Sequence, residues 1–365
     1  MRRNKVLSVC LTFLLTISML TACGGGNSGS NSKNTGGNKS EATEKNKGND
    51  TTDSAKKKKY AIIFKNTGNP YGEKQMEGYK NAVEELGYEA ILKAPDQPTA
   101  EAQIQMIEEL ISQKVDVIAI AANDPDALQP ALKKAMNQGI KVLSLDSAVN
   151  AASRMVHVNQ ADPERIGRTL IQGVSEMIGG EGEIAILSAT SQATNQNTWI
   201  EWMKKELEDS KYSKIKLVKV AYGDDLRDKS VSETEALLKS YPDLKGIIAP
   251  TTVGIAAAGK VLTDKGLTGK VQLTGLGLPS EMAEYIVSGV CQWMYLWNPI
   301  DVGYLSGYAA DALVNGKITG AVGDKLTAGK LGEKEVVKDG EGTQIMLGDP
   351  FKFDSSNIAE WKDVY

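Results

Sequence analysis

Histidine is almost missing from this chain: His157 is the only one in 365 residues. Cysteine is scarce as well, with Cys10, Cys23 and Cys291 the whole supply. A zinc site built from clustered histidines and paired cysteines is therefore excluded. A Ser-His-Asp hydrolase would have to use His157, and no G-x-S-x-G elbow accompanies it. No H-E-x-x-H and no Walker A lysine motif occurs either, so neither an enzyme nor a cofactor is expected. Charge of one sign is lacking too: 42 Lys and Arg face 46 Asp and Glu, a net of −4. That balance argues against a nucleic-acid partner.

A long apolar run is also absent. The stretch from Val6 to Leu20 is shorter than the roughly 20 residues a membrane-spanning helix needs. Preceded by Arg2, Arg3 and Lys5, it reads as a secretory signal over residues 1–22. It ends in Leu20-Thr21-Ala22-Cys23, which looks like a bacterial lipobox. In that reading the Cys23 thiol takes a diacylglyceryl group and becomes the new N-terminus, and more than one acyl chain holds the chain on a membrane. Gly24-Gly25-Gly26 and a polar stretch follow, without an aromatic or a large aliphatic residue up to Lys56. Such a composition buries too little apolar surface to offset its ordering entropy, so residues 23–57 are expected to form a lipidated, disordered tether. The run Lys56–Lys59 closes it and reads as a solvated end. The expected place of the protein is thus the extracytoplasmic face of the cell membrane. With Cys10 removed and Cys23 lipidated, Cys291 stands alone and the fold must rest on burial.

From Tyr60 onward short apolar runs alternate with helical periodicity. Tyr60–Phe64, Val117–Ile120 and Val142–Leu145 are continuous enough for buried parallel strands. Ile104, Ile107, Leu110 and Ile111 form one helix face between them, and Leu128, Leu132, Ala135 and Met136 another. Gly139 stands where a helix C-cap belongs. After a crossover near Val158, Asp162-Pro163 offers an N-cap and a first-turn proline. Further strands are expected at Ile184–Leu187, Leu217–Val220, Gly246–Ala249 and Val271–Thr274. Repetition of βαβ units predicts an α/β protein with two Rossmann-like lobes built on parallel sheets.

In such sheets a ligand binds outside the carboxyl ends of the strands. That rule selects Lys65 to Tyr71, Asp146, Ser188 to Asn197, Pro250 to Thr252, Gly275 to Gly277, and Trp293 running into Asp301. The set holds one cation, one carboxylate, amides, hydroxyls and aromatic rings, which suits a neutral polyol. Plainer roles compete at each position. Asp146 could cap the next segment, and Lys65 could be a surface lysine. Asn195 could be a helix N-cap, Thr252 a helix start and Trp297 a core residue. Gly275 and Gly277 read as turn glycines, since a lone G-x-G is a weak dinucleotide signal.

At these loops the chain resembles the type I periplasmic sugar-binding proteins. The segments that carry the likeness are Lys65–Pro70, Asn123–Leu128, Asn195–Trp199, Ala249–Thr252 and Gly275–Pro279. Within the group the likeness is to the branch holding the autoinducer-2 receptors of the Lsr importer and the rhamnose-binding proteins, and it covers the body from Tyr60 to Tyr365. The resemblance implies two lobes joined by a three-segment hinge, a first lobe of residues 58–158 plus 278–315, and a second of 159–277 plus 316–365. It implies a monomer that closes on its ligand and docks on an ABC permease. It also implies ligand contacts at Lys65, Asp146, Gln196 and the Pro250 carbonyl. Asn195 and Thr252 complete the expected site, though both depart from the autoinducer-2 pattern, which has aspartate and alanine there. With four of six contacts unchanged, autoinducer-2 is the expected ligand, and rhamnose or a related monosaccharide the alternative. A sugar-responsive regulator would carry a helix-turn-helix where the lipobox stands. A chemoreceptor-coupled sugar sensor without transport is the competing class.

Overall fold

The computed structural model describes residues 57–365, and the expected signal segment, Cys23 and nearly all of the tether lie outside them. The chain opens with β1 (Lys59–Ile63), α1 (Pro70–Glu85), β2 (Glu89–Lys93), α2 (Ala100–Ser112), β3 (Val117–Ile120), α3 (Pro125–Asn137), β4 (Lys141–Leu145) and β5 (Val156–Asn159). These strands pair in parallel in the order β2-β1-β3-β4-β5. Apolar side chains of β1, β3 and β4 are buried on both faces, so the strands read as unbroken hydrophobic runs. Gly139, at φ 86°, follows the end of α3 as its position suggested.

The second lobe follows the same grammar. It comprises α4 (Pro163–Ile178), β6 (Gly182–Ser188), α5 (Thr194–Glu206), β7 (Ile215–Tyr222), α6 (Arg227–Ser240), β8 (Leu244–Ala249), α7 (Thr252–Asp264), β9 (Gln272–Gly275), α8 (Pro279–Val287) and β10 (Trp293–Leu296). Its parallel sheet runs β7-β6-β8-β9, and bridges at Leu273–Cys291 and Leu276–Tyr295 bring β10 alongside β9. The chain then returns as α9 (Pro299–Val314), β11 (Lys325–Thr327), β12 (Glu333–Asp339) and β13 (Gly342–Met346). It ends with β14 (Phe351–Asp354) and α10 (Ile358–Trp361).

Asp-Pro and Asn-Pro pairs mark where helices start. Asn69, Asp124, Asp162 and Asn298 each accept backbone N–H bonds as N-caps, with Pro70, Pro125, Pro163 and Pro299 behind them.

The division between lobes differs from the expected one. Residues 278–298 belong to the second lobe, because α8 packs on α7 and α10, and β10 pairs with β14. The return to the first lobe comes at α9, which packs along α1. The tail also divides. β13 pairs in parallel with β5, and β12 and β11 extend the same sheet, so residues 325–346 complete the first lobe rather than the second. The chain therefore crosses three times, near Gln160, Asn298 and Gly348. Two crossings are bonded side by side: Leu347 N–H donates to the Asn159 carbonyl at 2.8 Å.

The α1–α9 contact fixes the cleft end of the first lobe. A Cβ on Gly303 would lie 1.8 Å from the Gln75 carbonyl oxygen, and one on Gly78 1.9 Å from that of Ile300. Only hydrogen fits at either position. Among the described residues no helix is long and apolar enough to cross a membrane.

Candidate functional site

Strand ends of both lobes converge on one cavity, as the strand-end rule for open α/β sheets requires. Its walls include Lys65, Asp146, Asn195, Gln196, Pro250 and Thr252, so the structure brings all six expected contacts together.

Lys65 follows β1 and is buried; its carbonyl accepts from the Asn123 amide at 2.8 Å. Its Nζ lies 2.9 Å from Asp146 Oδ2, and the two side chains are 7% and 4% exposed. Lys65 is thus no surface lysine. Asp146 follows β4 with a left-handed φ of 57°, a conformation that costs a non-glycine residue about 1–2 kcal/mol. It caps no helix: the next short helical turn starts after Asn150. Its Oδ1 accepts from the Tyr71 hydroxyl at 3.2 Å and from the Gln160 amide at 3.4 Å.

Tyr71 is held by a chain of buried donors. Its hydroxyl accepts from Gln75 Nε2 at 2.9 Å and Trp297 Nε1 at 2.7 Å while donating to Asp146. One donor and two lone pairs are then all engaged, so Tyr71 orients the carboxylate rather than holding ligand through its hydroxyl. Burial, and after it the charge of Asp146, pushes the phenol far above its ordinary range. An ionised carboxylate offers about four lone-pair sites, and three on Asp146 are occupied. One remains for a ligand hydroxyl.

The second lobe supplies the opposite wall from the starts of α5 and α7. Gln196 Oε1 accepts from Ser188 Oγ and from the Ala189 N–H, both at 2.7 Å. These bonds settle the amide orientation and leave its NH₂ as the group free to donate. Asn195 is not the N-cap of α5. That position is Ala193, and Asn195, half-buried, accepts the Gln196 N–H at 2.8 Å. At α7 the cap is Thr251, which makes Thr252 the first helical residue. Among the described residues no hydrogen bond ends on the Pro250 carbonyl. Gly275 closes β9 at φ 154°, where a Cβ would meet the Ala249 carbonyl at 1.9 Å; it is a packing glycine, not part of a nucleotide cradle. The lobes also touch beside the cavity, where Thr194 Oγ1 donates to the Ala148 carbonyl at 3.1 Å.

Aromatic and aliphatic groups finish the enclosure. Trp297 and Trp199 are buried with ring centroids 5.8 Å apart, and both line the cavity with Phe64, Leu276 and Leu296. Trp297 is therefore both core and wall.

Residue-by-residue reading of the sequence missed several members. Asn69 and Tyr71 lie inside a selected loop but were not singled out. Asp225 was passed over altogether. It lines the cavity after β7, where an apolar run that ends at Val220 hides a strand that continues to Tyr222. Applying the strand-end rule at Tyr222 would have found it.

His157 lies elsewhere, in β5, with Nδ1 2.9 Å from Ser144 Oγ. Burial, then the charge of Arg154, holds its ring well below the usual histidine range. Ser144 is fully buried, so this pair presents no nucleophile. Among the described residues no group of three or more His, Cys, Asp or Glu is placed to hold a metal.

Comparison with known proteins places this geometry in context. The family model for a periplasmic binding protein domain matches residues 60–318. A solved ABC transporter solute-binding protein from Clostridium phytofermentas, with bound L-rhamnose, is 54% identical with a TM-score of 0.83, covering 85% of this chain and 99% of that one. LsrB from Clostridium saccharobutylicum in complex with AI-2 has a TM-score of 0.78 at 24% identity, over 83% of this chain and 99% of that one, a likeness of fold. The D-xylose-binding periplasmic protein of Haemophilus influenzae is 26% identical over 292 residues, 79% of this chain and 83% of the relative.

Proposed function

Because the chain belongs to the periplasmic binding protein domain family, we propose that it captures a neutral 6-deoxyhexose of the L-rhamnose type in the interlobe cavity and delivers it to an ABC importer. At the coarser level it is a sugar-binding solute-binding protein that works outside the cytoplasm, not an enzyme. The observation that carries the ligand assignment is the 54% identity, over 99% of its length, to a protein that holds L-rhamnose. The cavity chemistry supports it. Lys65 and Gln196 offer donors, Asp146 and the Pro250 carbonyl offer acceptors, and Asn195 and Thr252 offer groups of both kinds. Leu276 and Leu296 supply an aliphatic patch suited to a sugar methyl group, and the tryptophan rings suit its C–H face.

The order of preference drawn from the sequence, autoinducer-2 before rhamnose, is reversed here. Autoinducer-2 remains the second reading on one observation: Lys65, Asp146, Gln196 and Pro250, its expected contacts, all line the one cavity. In this reading Cys23 carries the lipid that keeps a monomeric receptor at the membrane. Calorimetric titration of the purified protein with L-rhamnose, autoinducer-2 and D-xylose tests the proposal. Saturable L-rhamnose binding at least tenfold tighter than the other two is expected. Preference for either of the others would overturn the ligand assignment.

A further inference from the structure

Lys65 pairs with one carboxylate and shares its cavity with a second. Asp146 reaches it from the first lobe, and across the cavity stands Asp225, in the turn Gly223-Asp224-Asp225 that ends β7. Asp225 is 9% exposed, and both it and Asp224 take a φ of 54°. Consecutive left-handed non-glycine residues are costly and persist where the surroundings over-determine them. Here the determinant is Thr251, whose hydroxyl donates to Asp225 Oδ1 and accepts the Gly254 N–H at 3.4 Å. One hydroxyl thus ties the turn to the start of α7. Among the described residues Thr251 is the only side chain that hydrogen-bonds to Asp225, which leaves Oδ2 to the cavity it lines. Its neighbours across that cavity are Lys65 and Asp146, so two carboxylates face one ammonium.

We propose that Asp225 is the second ligand-reading carboxylate of the site, accepting ligand hydroxyls from the second lobe as Asp146 does from the first. The proposal deepens the functional reading above and rests on it. Carboxylates only accept, so they demand hydroxyl donors on opposite edges of the ligand, while Lys65 and Gln196 donate between them. Burial pushes the Asp225 carboxyl above its ordinary range while the Lys65 ammonium and the Thr251 hydroxyl draw it back, and with Asp146 alongside, a further anion meets two acidic groups against one ammonium. The site accordingly selects neutral polyhydroxylated rings and rejects sugar acids and sugar phosphates. Specificity of this kind comes from a buried group left unpaired when the matching hydroxyl is absent.

The test is calorimetric titration of the full mature protein, as wild type, Asp225→Ala and Asp225→Asn, with L-rhamnose and its 2-, 3- and 4-deoxy derivatives. Asp225→Ala should weaken L-rhamnose about 10- to 100-fold, the loss expected for hydrogen bonds to a charged group. For the one deoxy sugar that lacks the hydroxyl Asp225 holds, wild type and Asp225→Ala should bind alike. Asp225→Asn guards against misfolding: it removes a buried charge and keeps the shape, so it should melt no lower than wild type while still losing affinity. Unchanged L-rhamnose affinity in Asp225→Ala would overturn the proposal. So would an equal penalty for all four sugars, which marks a structural role. Wild-type protein that binds none of the four would refute the rhamnose reading, and the proposal with it.

Discussion

Removing Asp146 should damage folding and binding by separable routes. In Asp146→Ala the Lys65 ammonium stays buried, with its side chain 7% exposed and its nearest partner gone. Breaking a buried pair from one side typically costs 3–5 kcal/mol. Asp225 still faces Lys65 across the cavity, so the lower end, about 3 kcal/mol, is expected. At roughly 2–4 °C per kcal/mol, melting should fall by on the order of 10 °C. Asp146→Asn keeps the shape and one acceptor but exchanges a charged hydrogen bond for a neutral one. That difference is about 1–1.5 kcal/mol, or near tenfold in Kd. The decisive variant is Lys65→Met/Asp146→Leu. Replacing both charges by apolar groups of similar volume is often neutral or stabilising, so its melting temperature should return to the wild-type range or above it. L-rhamnose binding, measured calorimetrically, should nevertheless be lost. A double variant that melted normally and bound L-rhamnose with wild-type affinity would refute the assignment of this pair to the site.

Gly303→Ala should destabilise the protein by about 2 kcal/mol or more, because the new methyl meets the Gln75 backbone and the α1–α9 contact must open; urea titration measures it, and Tyr71, carried on α1, should lose register with Asp146, weakening sugar binding. Burial works to raise the carboxyl of Glu206, but bonds from Arg168, Tyr212, Gln172 and Lys211 prevail and hold it near about 2. A depressed carboxyl stabilises above its ordinary value, 4.5, and that contribution fades as pH falls towards about 2. Glu206→Gln should therefore melt lower than wild type at pH 7, with a gap that narrows between pH 5 and pH 3. Finally, Cys23→Ala should move the protein from the membrane fraction to the soluble one, and membrane retention after carbonate washing would contradict the lipid anchor.

Much of the α/β framework was legible because parallel strands buried on both faces carry continuous apolar runs, as Val117–Ile120 does with every residue buried. β11 to β13 were not. Glu333–Asp339 is mostly charged and exposed, one strand in from the sheet edge, and its partner β13 reaches β5 from far along the chain. Lobe membership failed for a related reason: chain order says which residues are adjacent, not which side of a cleft they pack on. The site was legible wherever a strand's apolar run ended where the strand did, as before Asp146. It was illegible at Asp225, because the half-exposed edge strand β7 outlasts its apolar run. The Tyr71–Trp297 bond joins residues 226 positions apart, and no local pattern foretells such a meeting.

The late arrival of β13 has a consequence for how the molecule assembles. Asn159 meets Gln344 across 185 residues, so the outer edge of β5 has no partner while the whole second lobe is being delivered. The second lobe waits too, since β10 pairs with β14 at Phe351–Asp354. Contacts this distant in the chain make folding slow, because the closure entropy is lost before the pairing rewards it. A polypeptide threaded out of the cytoplasm from its N-terminus is thereby kept from locking either lobe before its last strands emerge. A cut near Gly348 would strip β14 and α10 from the second lobe and loosen the strand that feeds the first.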